Sequence, residues 1–136
     1  MSVTTELAAL GVAVLFQMVL GILATVSIGQ FAGADWLLSS RDKAVDFGST
    51  AAGRLARARD NGFEALILFT AAVALVALSG ASNDLTIQAA WAFVVARVIY
   101  TACYAFNLVP WRTLVWFVGS MATLVLVVVA LMKIWA

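Results

Sequence analysis

Long apolar runs separated by short polar segments dominate the pattern of this chain. Four such runs, at about residues 7–31, 52–79, 85–106 and 111–132, are each long enough to cross a bilayer as a helix, which takes roughly 20 residues. The polar segments between them contain the capping and turn residues that begin and end helices. The pattern therefore predicts an all-α protein, in which residues 1–136 form a single four-span membrane domain folded as a four-helix bundle.

Composition agrees with a membrane location and narrows the chemistry. The chain of 136 residues is 65% hydrophobic and 11% charged, whereas a soluble domain is about 45–50% apolar and about 25% charged. The net charge of +1 gives no indication of nucleic-acid binding. One cysteine and no histidine exclude an internal disulfide, a zinc cluster and a catalytic triad based on His. We therefore expect no metal site.

Basic residues concentrate on one side of the predicted bundle. In a four-span chain the first and third connections share a side of the membrane, and the side richer in Lys and Arg is the cytoplasmic one. That side holds six basic residues, against Lys133 alone on the other: Arg41, Lys43, Arg54, Arg57, Arg59 and Arg112. We therefore expect both connections in the cytoplasm and both termini outside.

Polar side chains continue from the first connection into the second span. Helical geometry places four of them within an arc of about 80°: Arg54, Arg57, Asn61 and Glu64. Guanidinium groups at the outer end, with an amide and a carboxylate further in, indicate a site for a polar, anionic ligand. The alternative is a juxtamembrane anchor on anionic lipid headgroups. It explains the arginines but not Glu64, because a carboxylate near hydrocarbon is energetically unfavourable.

The third span carries an arginine well inside its apolar region. Arg97 shares an arc of about 60° with Tyr100 and Tyr104. An intramembrane arginine is a functional candidate that requires a polar partner. Its alternative role is structural, as one half of a buried ion pair with Glu64, and the two roles are compatible.

The fourth span begins with residues suited to an anion. Pro110 fits the first turn of a helix, which places Arg112 and Thr113 near a helix N-terminus. The unpaired N–H groups of such a turn favour negative charge. We expect Arg112 and Thr113 to contribute to the same half of the bundle as the polar groups of the second and third spans.

With these elements in this order, the sequence resembles the MAPEG family (membrane-associated proteins in eicosanoid and glutathione metabolism), in its small bacterial branch. The first element is R-A-x-x-N-x-x-E at the start of the second span, residues 57–64. The second is R-x-x-[YH]-x-x-x-Y in the third span, formed by Arg97, Tyr100 and Tyr104. A basic residue, Arg112, then opens the fourth span.

The resemblance implies a homotrimer in the bacterial inner membrane that binds glutathione between subunits, on the cytoplasmic side. Arg57, Asn61 and Glu64 would hold the peptide part of glutathione. Arg112 would face the sulfur as the catalytic residue, because a nearby guanidinium favours the nucleophilic thiolate. The third span would add three further contacts: Arg97, Tyr100 and Tyr104.

Two positions depart from the glutathione-using eukaryotic members of this family. Asp60 stands where those members often have a basic residue. The end of the first span, residues 29–34, lacks the arginine that they usually supply. Both differences remove positive charge from the expected site, so a weaker affinity for glutathione, or another anionic ligand, is compatible with the sequence.

The predicted function is that of a glutathione-dependent membrane transferase or peroxidase-like enzyme, with glutathione as co-substrate and a lipophilic electrophile arriving from the bilayer. One alternative is a non-catalytic membrane scaffold or accessory subunit of the same fold, in which Arg97 and Glu64 form a structural pair. Another is a lipid-binding protein whose arginines hold an anionic headgroup. Arg112 distinguishes them, because only the enzyme needs a cation beside a thiol.

Overall fold

The structure, a computed structural model, describes residues 4–136 and is helical throughout, apart from turns and connections. All four long helices are long and apolar enough to cross a membrane. The prediction of an all-α protein with four helices of membrane-spanning length is confirmed. The helices, in chain order, are α1 (Thr4–Ala32), α2 (Ala34–Leu37), α3 (Ala51–Ser79), α4 (Asp84–Ala105) and α5 (Val109–Trp135).

Local sequence signals determine where α3 begins and ends and where α4 begins. The hydroxyl of Thr50 accepts a hydrogen bond from Gly53 N at 3.1 Å, so Thr50 is the N-cap of α3, as its residue type favours. Helix α3 ends at Gly80, whose φ of 66° suits glycine. The side chain of Asn83 accepts hydrogen bonds from two N–H groups of the first turn of α4 and forms a capping box with Thr86.

Small and aromatic side chains hold the bundle together. More than half of the buried hydrophobic residues are alanines, which let helix backbones approach closely within a membrane. At the centre, Phe69 of α3 stacks on Phe93 of α4, with ring centroids 3.9 Å apart. Helices α3 and α4 contact one another and both outer helices, whereas α1 and α5 make no contact within the described chain. The polar residues of α3, α4 and α5 are thereby brought to a common end.

A buried carboxylate ties the first turn of α1 to the α3–α4 turn at the other end of the bundle. Glu6 is 0% exposed. Its Oε1 accepts hydrogen bonds from Ser82 Oγ at 2.8 Å and from Thr86 Oγ1 at 2.6 Å. These partners lie 76 and 80 residues away along the chain. The cluster therefore fixes the register of α1 against α4.

The connection between α1 and α3 folds over the end of the bundle that carries the polar residues. Trp36 Nε1 donates to the carbonyl of Lys43 at 2.7 Å, and the Trp36 and Phe47 rings meet edge to face with centroids 5.8 Å apart. Gly53 lies against this connection, because an added Cβ would come within 2.9 Å of the carbonyl oxygens of Phe47 and Gly48. The start of α3 is thus packed beneath the connection.

Candidate functional site

The predicted polar residues come together where the first half of α3 meets the C-terminal half of α4 and the start of α5. Arg97, a charged residue, is only 8% exposed. Its Nη1 donates to Asn61 Oδ1 at 3.0 Å, which links α4 to α3. A hydrogen bond from a charged donor is among the stronger ones in proteins. Arg97 therefore has the polar partner that its position within a span requires, and that partner is an amide.

The predicted ion pair between Arg97 and Glu64 does not form. Within residues 4–136 the salt-bridge contact joins Arg59 to Asp60, at 2.8 Å. Glu64 is exposed on α3, one turn beyond the amide that binds Arg97. The alternative role of Arg97, as half of an ion pair with Glu64, is therefore not borne out, because Asn61 lies on the part of α3 that faces α4 and accepts the hydrogen bond from Arg97.

An aromatic stack connects Arg97 to the start of α5. The Arg97 guanidinium lies 4.4 Å from the centroid of the Tyr100 ring. Tyr100 and Tyr104 meet edge to face with centroids 5.1 Å apart, and the Arg112 guanidinium lies 4.8 Å from the centroid of Tyr104. Both distances fall within the range of a cation–π contact. The row therefore runs from one cation through two rings to a second cation. The contact with Tyr104 positions Arg112 at the start of α5.

The N-terminus of α5 adds partial positive charge beside Arg112. Asn107, which turns the chain between α4 and α5, has a φ of 58°, a conformation that asparagine tolerates. Leu108 occupies the N-cap position and makes no side-chain capping bond, and Pro110 lies in the first turn. Val109 N donates to the carbonyl of Asn107 and Arg112 N to that of Leu108, each at 3.1 Å, and Pro110 has no N–H. In this turn the N–H of Trp111 therefore remains for solvent or a ligand. An anion next to Arg112 and Thr113 would meet both a guanidinium and a helix N-terminus.

These groups surround a cavity of about 240 Å³, called the polar cavity below. Five of the residues lining it were predicted from the sequence, and the sixth is a tryptophan one turn further along α5. No acidic side chain is among them in the part of the chain that the structure describes. A cavity with this lining suits an anionic ligand with further hydrogen-bonding groups. Its residues are Asn61, Tyr100, Tyr104, Arg112, Thr113 and Trp116.

Four other predicted residues lie outside the polar cavity. Arg54 donates from Nη1 to the carbonyl of Ser49. Arg57 is exposed, and its Nη1 donates to the carbonyl of Gly48 at 3.0 Å. Glu64 is also exposed. Arg97 contacts the polar cavity only through the Asn61 side chain and the Tyr100 ring. The structure of one chain therefore assembles the α4 and α5 groups with Asn61, and it leaves Arg57 and Glu64 on an outer surface of α3.

Asp60, one of the two departures from the family pattern, is directed away from the polar cavity. Its carboxylate pairs with Arg59 at 2.8 Å, and both residues line a shallow groove between α1 and α3. Because a guanidinium already neutralises it there, Asp60 adds no negative charge to the polar cavity.

Two residues next to the polar cavity were not predicted from the sequence. Trp116 follows Arg112 by four residues, so helical periodicity alone could have placed it beside the cavity. Gln17 of α1 is 4% exposed, and its Nε2 donates to the carbonyl of Arg59 at 2.8 Å. Its amide also lies so close to Gly62 that a Cβ there would be 2.8 Å from Gln17 Cδ. Gln17 therefore joins α1 to α3 behind the site.

Comparison with known proteins gives a family assignment for nearly the whole chain. Residues 7–132 match the family model described as the MAPEG family. Neither a curated protein nor a solved structure matches the chain at a significant level.

Proposed function

The chain belongs to the MAPEG family, and from this premise and the polar cavity we propose that it is a glutathione-dependent membrane transferase acting on lipophilic electrophiles. The observation that carries the proposal is the position of Arg112. Its guanidinium lies at the start of α5, stacked 4.8 Å from the Tyr104 ring, in a cavity lined by no acidic side chain among the described residues. This environment favours a bound thiolate.

Glutathione matches the polar groups by chemistry. It carries two carboxylates, an amine, amides and a thiol, and arginine suits carboxylates through paired hydrogen bonds. In our proposal Arg57 binds a carboxylate, Glu64 binds the amine and Asn61 binds an amide. Arg57 and Glu64 lie on the outer surface of α3, so the ligand must extend beyond the polar cavity of one chain. We therefore propose a homotrimer with its sites between protomers, on the cytoplasmic side of a bacterial inner membrane.

The proposed chemistry needs only the ligand's own thiol and the residues at the α5 N-terminus. A free thiol has a pKa near 8.5, and a nearby cation or a helix N-terminus lowers it. Arg112 and the first turn of α5 would therefore increase the thiolate fraction at neutral pH. The sulfur then attacks an electrophilic carbon, a C–S bond forms, and the displaced electron pair leaves with the leaving group or is protonated. Tyr100 and Tyr104 flank the reacting atoms.

A non-catalytic membrane scaffold or accessory subunit is the second candidate. The hydrogen bond between Arg97 and Asn61 favours it, because two groups predicted to bind a ligand satisfy one another within the protein. A scaffold does not need the cation of Arg112 beside a ligand. The two proposals therefore differ in the role of Arg112.

Replacement of Arg112 by Ala tests the enzyme. We expect glutathione binding to be largely retained and turnover of a generic aryl halide to fall by roughly a hundredfold, because the lost interaction is strongest with the ionised sulfur. Thiolate absorbance in the complex should fall in parallel. Lys133→Ala, which removes a cation at the far end of α5, is the matched control and should resemble the wild type. Equal turnover of Arg112→Ala and an active wild type would refute the mechanism.

A further inference from the structure

Gln17 is a buried polar residue near the middle of α1 that the proposed reaction does not use. Its side chain is 4% exposed, and its Nε2 donates to the carbonyl of Arg59 on α3 at 2.8 Å. An amide oxygen can accept hydrogen bonds of its own, so Gln17 Oε1 remains available as an acceptor after this contact. Because a polar group inside an apolar bundle is unfavourable unless it is paired, this oxygen indicates where a partner is needed.

Gly62 allows this amide to lie against the part of α3 that binds Arg97. A Cβ at Gly62 would come within 2.8 Å of Gln17 Cδ and within 3.0 Å of its Nε2, so the missing side chain provides the space that the amide occupies. The preceding residue, Asn61, accepts the hydrogen bond from Arg97 Nη1 at 3.0 Å. Gln17 from α1 and Arg97 from α4 therefore contact α3 at consecutive residues.

A small cavity, called the inner cavity below, is lined by both Gln17 and Arg97. It has a volume of about 10 Å³ and lies between α1, α3 and α4, and these two residues have the polar side chains in its described lining. The other walls are apolar and include Ala13, Leu66 and Phe93. Arg97 can only donate, and its bond to Asn61 uses one of its five N–H groups. The inner cavity therefore has a hydrogen-bond donor and a hydrogen-bond acceptor in its wall.

We propose that the inner cavity holds one ordered water molecule, which accepts a hydrogen bond from Arg97 and donates one to Gln17 Oε1, and that Gln17 is thereby a positioning residue for Arg97. A buried water molecule needs a cavity of roughly 10–15 Å³ and about two to four polar partners. The inner cavity meets the lower limit of both requirements. Cavities that stay dry are lined by apolar groups alone, whereas here a guanidinium and an amide would each lose a partner.

The water bridge attaches Arg97 to α1 as well as to α3. The bond to Asn61 holds the guanidinium on one side, and the Tyr100 ring lies 4.4 Å from it on α4 itself. A guanidinium held on several sides keeps one orientation before a ligand binds, which reduces the cost of ordering it on binding. The functional part of this inference rests on the proposed function, with Arg97 as one of the contacts of glutathione. Loss of the water should therefore weaken glutathione binding and leave the reaction at the sulfur unchanged.

Glutathione binding to the full-length protein in one detergent tests the positioning role. Calorimetry should give a dissociation constant roughly three- to tenfold higher for Gln17→Met than for the wild type, the effect of losing about one hydrogen bond. Turnover at saturating glutathione should stay within about twofold of the wild type, because Arg112 is unchanged. A merely structural defect would instead lower the number of binding sites per protein and leave the dissociation constant of the folded molecules as it was.

A pair of alanine variants on α1 separates the water from the amide. Ala13→Val places methyl groups in the inner cavity and keeps the bond between Gln17 and Arg59, so it should raise the dissociation constant as Gln17→Met does. Ala9→Val is the matched control, because Ala9 is also buried on α1 but does not line the inner cavity. This control should bind glutathione as the wild type does.

The possible results separate this inference from the proposed function. The inference is overturned if Gln17→Met keeps the wild-type dissociation constant. It is also overturned if Gln17→Met raises the constant and Ala13→Val does not, because Gln17 then acts through its bond to Arg59 alone. If Ala13→Val does not fold, or the wild type binds no glutathione, unfolding in SDS decides whether the bridge exists. Gln17→Met and Arg97→Met together should shift the unfolding midpoint by less than the sum of their single shifts, since either one breaks the bridge, and additive shifts overturn it. A wild type that binds no glutathione refutes the proposed function, and with it the role of Gln17 in ligand binding, whereas the midpoints still test the bridge.

Discussion

Replacing Arg97 by Met separates a structural role of this residue from a functional one. The side chain is buried, donates one hydrogen bond to Asn61 and stacks on Tyr100. Methionine has a comparable length and adapts to irregular apolar sites. The substitution therefore removes the charge and the two polar contacts while leaving the packing nearly filled.

Three contributions determine the expected change in the free energy of unfolding. Loss of the 3.0 Å hydrogen bond to Asn61 destabilises the protein by roughly 1.5–3 kcal/mol, the range for a charged donor. Loss of the cation–π contact with Tyr100 removes about 0.5–2 kcal/mol. Removing a charge from the apolar region of a membrane helix stabilises the protein by about 2.5–3.5 kcal/mol. The contributions nearly cancel, so Arg97→Met should lie within roughly 2.5 kcal/mol of the wild type.

Unfolding in mixed micelles with increasing SDS, followed by circular dichroism, measures this difference, and calorimetry measures glutathione binding in the same preparations. We expect a small change in stability together with a large loss of binding or turnover. Arg97→Met combined with Asn61→Leu should restore part of any lost stability, because no buried amide then lacks a partner. A loss above about 4 kcal/mol with normal glutathione binding would refute a functional role and support the scaffold.

Four further predictions address the fold, the topology and the assembly. Glu6→Leu should lower the free energy of unfolding by roughly 1–3 kcal/mol because the Ser82 hydroxyl loses its acceptor, whereas that of Thr86 can still donate to the carbonyl of Asn83. Glu6→Gln should lose less, and equal losses in SDS unfolding would contradict this. Gly53→Ala should destabilise by about 1–3 kcal/mol through a clash with backbone carbonyls, while Gly11→Ala, with open space around its Cβ position, should not; the same unfolding assay decides, and two equal effects would show that the contact is absent. An introduced cysteine at Ser40 should react only with reagents that reach the cytoplasm, and labelling by an impermeant reagent from outside would reverse the proposed orientation. Mass measurement in mild detergent should give a trimer, and a monomer alone would count against sites between protomers.

Helix positions and helix faces could be predicted because they depend on short-range sequence. Thr50 caps the N-terminus of α3, as a threonine next to the start of an apolar run favours. The periodicity of α4 placed Arg97, Tyr100 and Tyr104 on one face, and in the structure they form one continuous stack. Rotation of 100° per residue is a property of the helix itself, so no knowledge of neighbouring helices was needed.

Pairings between helices could not be predicted in the same way. The partner of Arg97 depends on the rotation of α3 about its axis. Asn61 and Glu64 lie less than one helical turn apart, so the sequence does not show which of them faces Arg97. The hydrogen bonds of Glu6 join positions 76 and 80 residues apart, and nothing in the first turn of α1 indicates those hydroxyls. Gln17 likewise donates to a backbone carbonyl of α3. Because every residue has such a carbonyl, the sequence does not indicate which one is the partner.

The distribution of charge around the polar cavity supports an assembly of several chains. Arg112 lines the cavity and Arg97 lies behind its Asn61 and Tyr100 walls, whereas the acidic residue of the family motif, Glu64, is exposed on the outer surface of α3. At this depth in an apolar helix, a carboxylate facing hydrocarbon is disfavoured by a few kcal/mol. A neighbouring protomer would exclude lipid from Glu64, and the amine of glutathione would then neutralise it. A site between protomers therefore accounts for both the cation in the cavity and the carboxylate outside it.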